Sequence, residues 1–268
     1  MCKEDPDLAK YLMKRAKVTE ADIRLHLREV NFHCPLCGED LQKKNSKKRD
    51  VKLFEIAHIY PNSPTIEQYE ELKGLERLGN NSESFDNKIA LCKNCHKTQD
   101  FHTTKEEYLN LLNKKKEYLN VCVLNEVTEG IKFEETLEKS IEMIIDTINN
   151  DDSLQLSELN YNAVPIDKKF GNSNKILKAK VKAYVLSYYT LIRKKISENV
   201  DSCNFNKISR RVRNCFEDLN DHSDDRGEIF NALVEWLNNK TLNKSREACE
   251  VIISFYIQEC EVFNEITK

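Results

Sequence analysis

Two cysteine knuckles, Cys34-x-x-Cys37 and Cys92-x-x-Cys95, constrain this chain more than any other feature of its sequence. Two residues between thiols let both sulfurs turn toward one centre, and two such knuckles supply the four ligands of a tetrahedral zinc site. Pro35 and Gly38 are turn formers that suit the first knuckle. A site closed by four sulfurs does no chemistry, so its expected role is to clamp two segments that the sequence keeps far apart.

The rest of the composition agrees with a reducing environment. The N-terminus, MCKEDPDLAK, is charged and lacks the apolar stretch of a secretory signal. The apolar runs fall well short of the roughly 20 residues that a membrane span requires. The expected location is the cytoplasm, away from membranes. The ten cysteines are then expected to be metal ligands or buried thiols rather than a disulfide framework. With a net charge of -3, any nucleic-acid affinity must come from a local patch. Residues 1–120 hold 22 Lys and Arg against 20 Asp and Glu, and the remainder 20 against 25.

A chain of 268 residues is long enough for two cores. Asp7 to Arg28 reads as helical with a break at Val18-Thr19, where Thr19 and Asp22 form a capping box. LQKKNSKKRDVKLFEIAHI reads as two strands around a basic loop, and Thr65 to Leu78 as a helix. A helix is expected to start near Leu91, break near His102, and continue amphipathically to about Leu119. Phe133 to Ile148 has apolar residues at helical spacing, and a polar stretch over 149–174 reads as a linker. Four helices follow: Lys175 to Asn199, Asn204 to Asn220, Glu228 to Asn239 and Ser245 to Ile266. The fold class is therefore α+β. A domain over 1–120 is followed by a helix and linker over 121–174 and by an all-α domain over 175–268.

The stretch FEIAHIYPNSP places His58 near the end of a strand closed by Pro61. Alternation puts Ile56, His58 and Tyr60 on one face, and Glu55 and Ala57 on the other. The stretch DNKIALCKNCHKTQD adds Asn87 and His96 beside the second knuckle. If the zinc clamps these stretches together, His58 is expected to face His96. A neutral imidazole can take a proton from water, and a divalent ion can stabilise charge on phosphate, which together suffice for phosphodiester hydrolysis.

These residues, over about 30–105, resemble the HNH endonuclease family, the ββα-metal nucleases, with a treble-clef-like arrangement around the zinc. The resemblance implies that His58 is the general base, that Asn87 holds the loop and orients the base, and that His96 is a ligand of a catalytic Mg2+ or Mn2+. Ala57 stands where many members carry an Asp or His ligand. Asp100, one helical turn after His96, is the first candidate to replace that ligand. Glu55 is the second, although alternation sets it on the face opposite His58. The structural Zn2+ falls to Cys34, Cys37, Cys92 and Cys95. The basic loop (Lys43, Lys44, Lys47, Lys48 and Arg49) is the expected contact to the DNA backbone.

The segments IFNALVEWLNNKT and EACEVIISFYIQECEVF resemble the C-terminal domain of effectors in bacterial ABC-three-component defence systems, the group that includes Lamassu. Cys249 and Cys260 in the second segment are expected to be buried small hydrophobes. The resemblance implies an anti-phage nuclease held by an SMC- or RecN-like ABC ATPase and a small middle component, with room for a homo-oligomer when active. Phe230, Leu233, Val234 and Trp236 are the candidate partner-docking residues. Two other readings stay open: a stand-alone restriction or homing-type nuclease, and a catalytically silent zinc adaptor that bridges DNA and the ATPase.

Overall fold

The structure, a computed structural model, describes residues 5–44, 50–101, 103–131, 135–150, 166–170, 174–199, 202–259 and 262–263. The chain divides into two compact units, residues 1–120 and 121–268. Among the described residues, no helix is long and apolar enough to cross a membrane.

The first unit begins with α1 (Pro6–Tyr11) and α2 (Glu20–Glu29). The capping box at Thr19 is present, with Thr19 and Asp22 each accepting from the other's backbone. The helical expectation over Asp7 to Arg28 is corrected between these helices, because residues 12–19 form no regular element. Their backbone is bonded elsewhere: Met13 N donates to Ser82 Oγ at 2.9 Å and Ala16 N to Glu83 Oε2 at 3.1 Å. A short hairpin follows, β1 (Gln42–Lys44) against β2 (Asp50–Lys52), and then β3 (Phe54–His58). The helix expected to reach Leu78 is α3 (Ile66–Leu72), which stops just before Gly74 takes a φ of 75°.

A 3-10 turn (Phe85–Asn87) leads into β4 (Lys88–Cys92), which runs antiparallel to β3 with Phe54 opposite Cys92 and His58 opposite Lys88. All five residues of β4 are buried, so the strand reads as a continuous apolar run without alternation. This is why the helix expected from Leu91 begins only at Lys93, as α4 (Lys93–Phe101). The last helix to start in this unit is α5 (Lys105–Glu129). His102 and the break expected there lie outside the described residues.

Polar contacts also brace the core around the turn. Phe85 stacks on His26 at 4.2 Å between ring centroids, and Lys115 Nζ lies 4.1 Å from the Phe85 ring centroid. Lys115, fully buried, is paired with Glu29 of α2. The turn is thereby gripped by α2 on one side and α5 on the other.

The described elements of the second unit are α6 (Glu135–Asn150), α7 (Ile166–Lys169), α8 (Lys175–Asn199), α9 (Ser202–Asn220), α10 (Arg226–Lys240) and α11 (Arg246–Gln258). One apolar core joins them, including Ile141 and Ile145 of α6, Val181 of α8, Val212 of α9 and Leu233 of α10. Every residue of α11 from Ala248 to Gln258 is buried, its wide apolar stripe together with Glu250, Ser254 and Gln258. That helix ends at Gln258, short of the expected Ile266. Phe263 then turns back with a φ of 58° and packs edge-on against Phe170 and Phe216. Of the polar stretch over 149–174, residues 151–165 and 171–173 lie outside the described residues, while Ile166 and Phe170 belong to the core.

Candidate active site and zinc centre

The two knuckles converge. The sulfurs of Cys34, Cys37, Cys92 and Cys95 all lie within 4.8 Å of one another, and those of Cys37 and Cys92 are 3.6 Å apart. Four thiolates at about 2.3 Å from one tetrahedral ion would stand about 3.8 Å apart, so the donor set fits zinc. Each knuckle is shaped by its backbone. Gly38 takes a φ of 77° and donates to Cys34 O at 2.7 Å, while Cys95 N donates to Cys92 Sγ at 3.4 Å. Burial pushes the Cys92 and Cys95 thiols up from the usual range, and a bound dication would relieve that.

Because β4 carries Cys92 and pairs with β3, the knuckles fix the register at which the histidine strand meets α4. At the far end of that pairing sits Asn87, fully buried. Its Oδ1 accepts from Tyr60 N at 2.8 Å, and its Nδ2 donates to Tyr60 O at 3.1 Å and to Ser82 O at 2.9 Å. Asn87 thus ties the end of the histidine strand to the loop before the turn. The next residue on that loop, Glu83, reaches His58: Oε1 lies 2.8 Å from His58 Nε2. The other oxygen of Glu83 accepts from Lys88 Nζ at 2.6 Å.

Burial lowers the proton affinity of His58 below the ordinary histidine value, and the hydrogen bond to Glu83 offsets only part of it. Burial would raise the Glu83 carboxyl, but donors from Lys88, Ala16 and His58 outweigh it and hold it below the usual carboxylate range. Glu83 is therefore ionised and accepts only, which assigns the ring proton of neutral His58 to Nε2 and leaves a lone pair on Nδ1.

His96 is engaged separately. Its Nδ1 lies 2.6 Å from Glu55 Oε2, and its Nε2 lies 3.5 Å from Asp100 Oδ2. The His96 ring is mostly buried, whereas Asp100 and Glu55 are exposed. Nε2 of His96 with the exposed Asp100 oxygen suits an ion that takes part of its shell from water and phosphate, while Glu55 holds the other ring nitrogen. Alternation had counted against Glu55, yet His96 lies on the Glu55 face of β3. His58 and His96 are thus held by different carboxylates, Glu83 and Glu55. The side-chain amide of Gln99 on α4 donates through Nε2 to the His58 carbonyl at 2.7 Å, tying the helix of His96 to the end of the histidine strand.

Comparison with known families agrees with this geometry. Residues 34–103 match the family described as HNH endonuclease. The first unit carries an HNH endonuclease domain. Residues 131–263 match the family described as C-terminal domain 11 of the ABC-three component (ABC-3C) systems. No curated protein and no solved structure gives a significant match.

The HNH domain contains a residue that sequence reasoning missed. Glu83 lies in the polar segment NNSESF, where no spacing sets it apart; only the Asn87-bound loop delivers it to His58. Of the basic loop expected to contact DNA, Lys43 and Lys44 lie on β1, and Lys43 is exposed. Lys47, Lys48 and Arg49 lie outside the described residues.

The docking residues expected behind the HNH domain need correction. Phe230, Leu233, Val234 and Trp236 are 0–2% exposed and form part of the second unit's core. Residues of α10 are buried on nearly all sides, so an apolar stripe there marks packing and not a free face. Cys249 is buried as expected, and Cys260 lies outside the described residues.

Proposed function

We propose that the chain is a metal-dependent DNA endonuclease serving as the nuclease effector of an ABC-three-component anti-phage complex of the Lamassu kind. The observation that carries the reading is the carboxylate–imidazole pair, Glu83 with His58, at 2.8 Å within an HNH endonuclease domain. His58 accepts a proton from water on Nδ1, while Glu83 holds Nε2–H and favours the imidazolium as it forms. Lys88 keeps Glu83 ionised, and Asn87 keeps its loop in place. His96 Nε2 and Asp100 would hold a Mg2+ or Mn2+, and Glu55 on Nδ1 would fix the orientation of the His96 ring. When bound, that ion supplies positive charge for the oxygens of the scissile phosphate.

Position 57 has no oxygen to offer the ion, and Ala57 is fully buried, so the carboxylate load falls on Asp100. The four-cysteine centre would hold structural Zn2+. The second unit would dock on an SMC- or RecN-like ATPase and its small middle component in the cytoplasm, with homo-oligomerisation on activation. No base-reading element is apparent among the described residues, so little sequence preference is expected.

Plasmid cleavage with Mg2+ or Mn2+ tests the reading. His58→Ala should lower the rate by about 10²–10⁴-fold. Equal cleavage by wild type and variant would remove His58 as the base, and no cleavage even with the partners present would favour the zinc adaptor. Only neutral His58 is a base, so the rate should rise with pH through its depressed pKa. The acid limb should therefore lie below the ordinary value of about 6.5. Glu83→Gln removes an interaction that raises this pKa, so the limb should move to still lower pH while kcat falls.

A further inference from the structure

The segment between α1 and α2 forms no regular element and is a strap laid over the loop that carries Glu83. Tyr11 O accepts from Ser82 N at 2.8 Å, Met13 N donates to Ser82 Oγ at 2.9 Å, and Ala16 N donates to Glu83 Oε2 at 3.1 Å. The strap and the His58 imidazole are therefore held by the same carboxylate. Lys14, Arg15 and Lys17 stand on this strap, all exposed. Among the described residues none of the three forms an ion pair. The other cations around the base differ. Lys88 is paired with Glu83, Lys115 with Glu29, and Arg77 lies over the rings of Tyr11 and Tyr60.

Three unneutralised cations on a backbone pinned to the base call for an anionic ligand that arrives with the substrate. Lys14 and Lys17 are at most about 10 Å apart along an extended chain, which matches about three steps of 3.4 Å along a DNA strand. A strap of this kind can follow a phosphate backbone without reading bases.

We propose that residues 13–17 form a phosphate-binding strap in which Lys14, Arg15 and Lys17 hold the DNA backbone next to the bond that His58 attacks. The inference rests on the nuclease reading of the His58 site. It assigns DNA contact to a segment other than the basic loop, and it makes Glu83 the link between substrate binding and the base. Arg15 also lies close enough to help lower the proton affinity of His58.

The test measures duplex DNA binding by fluorescence anisotropy on the full chain carrying His58→Ala, which needs no cleavage. Lys14→Gln, Arg15→Gln and Lys17→Gln are then combined in that background. The slope of log K against log salt should become shallower by about 0.9 for each phosphate no longer neutralised, or ~2.7 for all three. In the His58 background, affinity should fall by about tenfold or more at about 50–200 mM salt. In the wild-type background, the same triple change should raise KM by a larger factor than it changes kcat. A Lys14→Arg, Lys17→Arg variant should keep full binding.

A triple variant with unchanged slope and affinity, made from a chain that cuts DNA, would overturn the strap and leave the nuclease reading standing. Equal weakening by Lys73→Gln, Lys139→Gln and Lys175→Gln would also overturn it, because the effect would then be one of net charge. A wild-type chain that neither binds nor cuts DNA would overturn both readings.

Discussion

The first unit and the second unit hold their side chains in place by different forces. In the first unit, strands of five residues or fewer and mostly short helices surround a small apolar core that is braced by buried polar groups, among them Asn87, Lys115 and His26, and by the four-cysteine cluster. In the second unit, long helices close around a core of Ile, Val, Leu and Phe, where α11 alone buries eleven consecutive residues. The contrast shows where chemistry has been accommodated. A site that must keep imidazoles and carboxylates near water cannot be surrounded by oil on every side, so directional bonds and a cysteine cluster suited to a metal take the place of apolar area. The second unit relies mainly on packing, with a few buried polar groups such as Lys169 and Glu250 held by their own partners.

The comparison can be broken most decisively at the zinc. Cys92→Ser with Cys95→Ser removes half the ligands, and structural zinc binding is worth about 10–16 kcal/mol in small zinc domains. Elemental analysis should show the metal gone. Amide exchange on the full chain should show protection lost over 34–101 and retained over α8 to α11. Loss of protection throughout the chain would refute the division of forces.

The next effect belongs to the apolar core. Phe255→Ala, at a residue 1% exposed, should cost about 3–5 kcal/mol. Denaturant unfolding should place that loss in the second unit, with zinc content unchanged. Asn87→Ala leaves the Tyr60 amide and the Ser82 and Tyr60 carbonyls without their partner, at about 1–3 kcal/mol for each buried group left unsatisfied. Because Asn87 places Glu83, this variant should lose cleavage along with stability; reduced stability with cleavage intact would detach Glu83 from the base. Smallest of all, Thr19→Ala removes an exposed cap and should cost about 1 kcal/mol in thermal unfolding.

Much of this molecule was legible from residue order alone. The knuckle spacing placed the sulfur cluster, the run before Pro61 placed a strand that carries His58, and helical periodicity placed α8 over Lys175–Asn199 and α10 within a few residues. Local rules succeed there because a chelate spacing, a proline or an amphipathic repeat carries its meaning within a few residues. The same rules failed at β4, whose burial on both faces erases alternation, and at residues 12–19, whose amides bond to a loop 67 and 69 positions away. They failed again at Phe230 and Trp236, since one apolar stripe serves equally for a core or for a docking face until its neighbours are known.

The order of residues by itself determined that this protein would have a four-cysteine cluster, a histidine strand and a helical second half. Only the tertiary structure decided that Glu83 holds His58, that Glu55 and Asp100 flank His96, and that an N-terminal basic strap lies against the same carboxylate as His58. The physical reason is that ionisable side chains act over a few ångströms in space, and their neighbours at that range are set by how distant backbone segments pair.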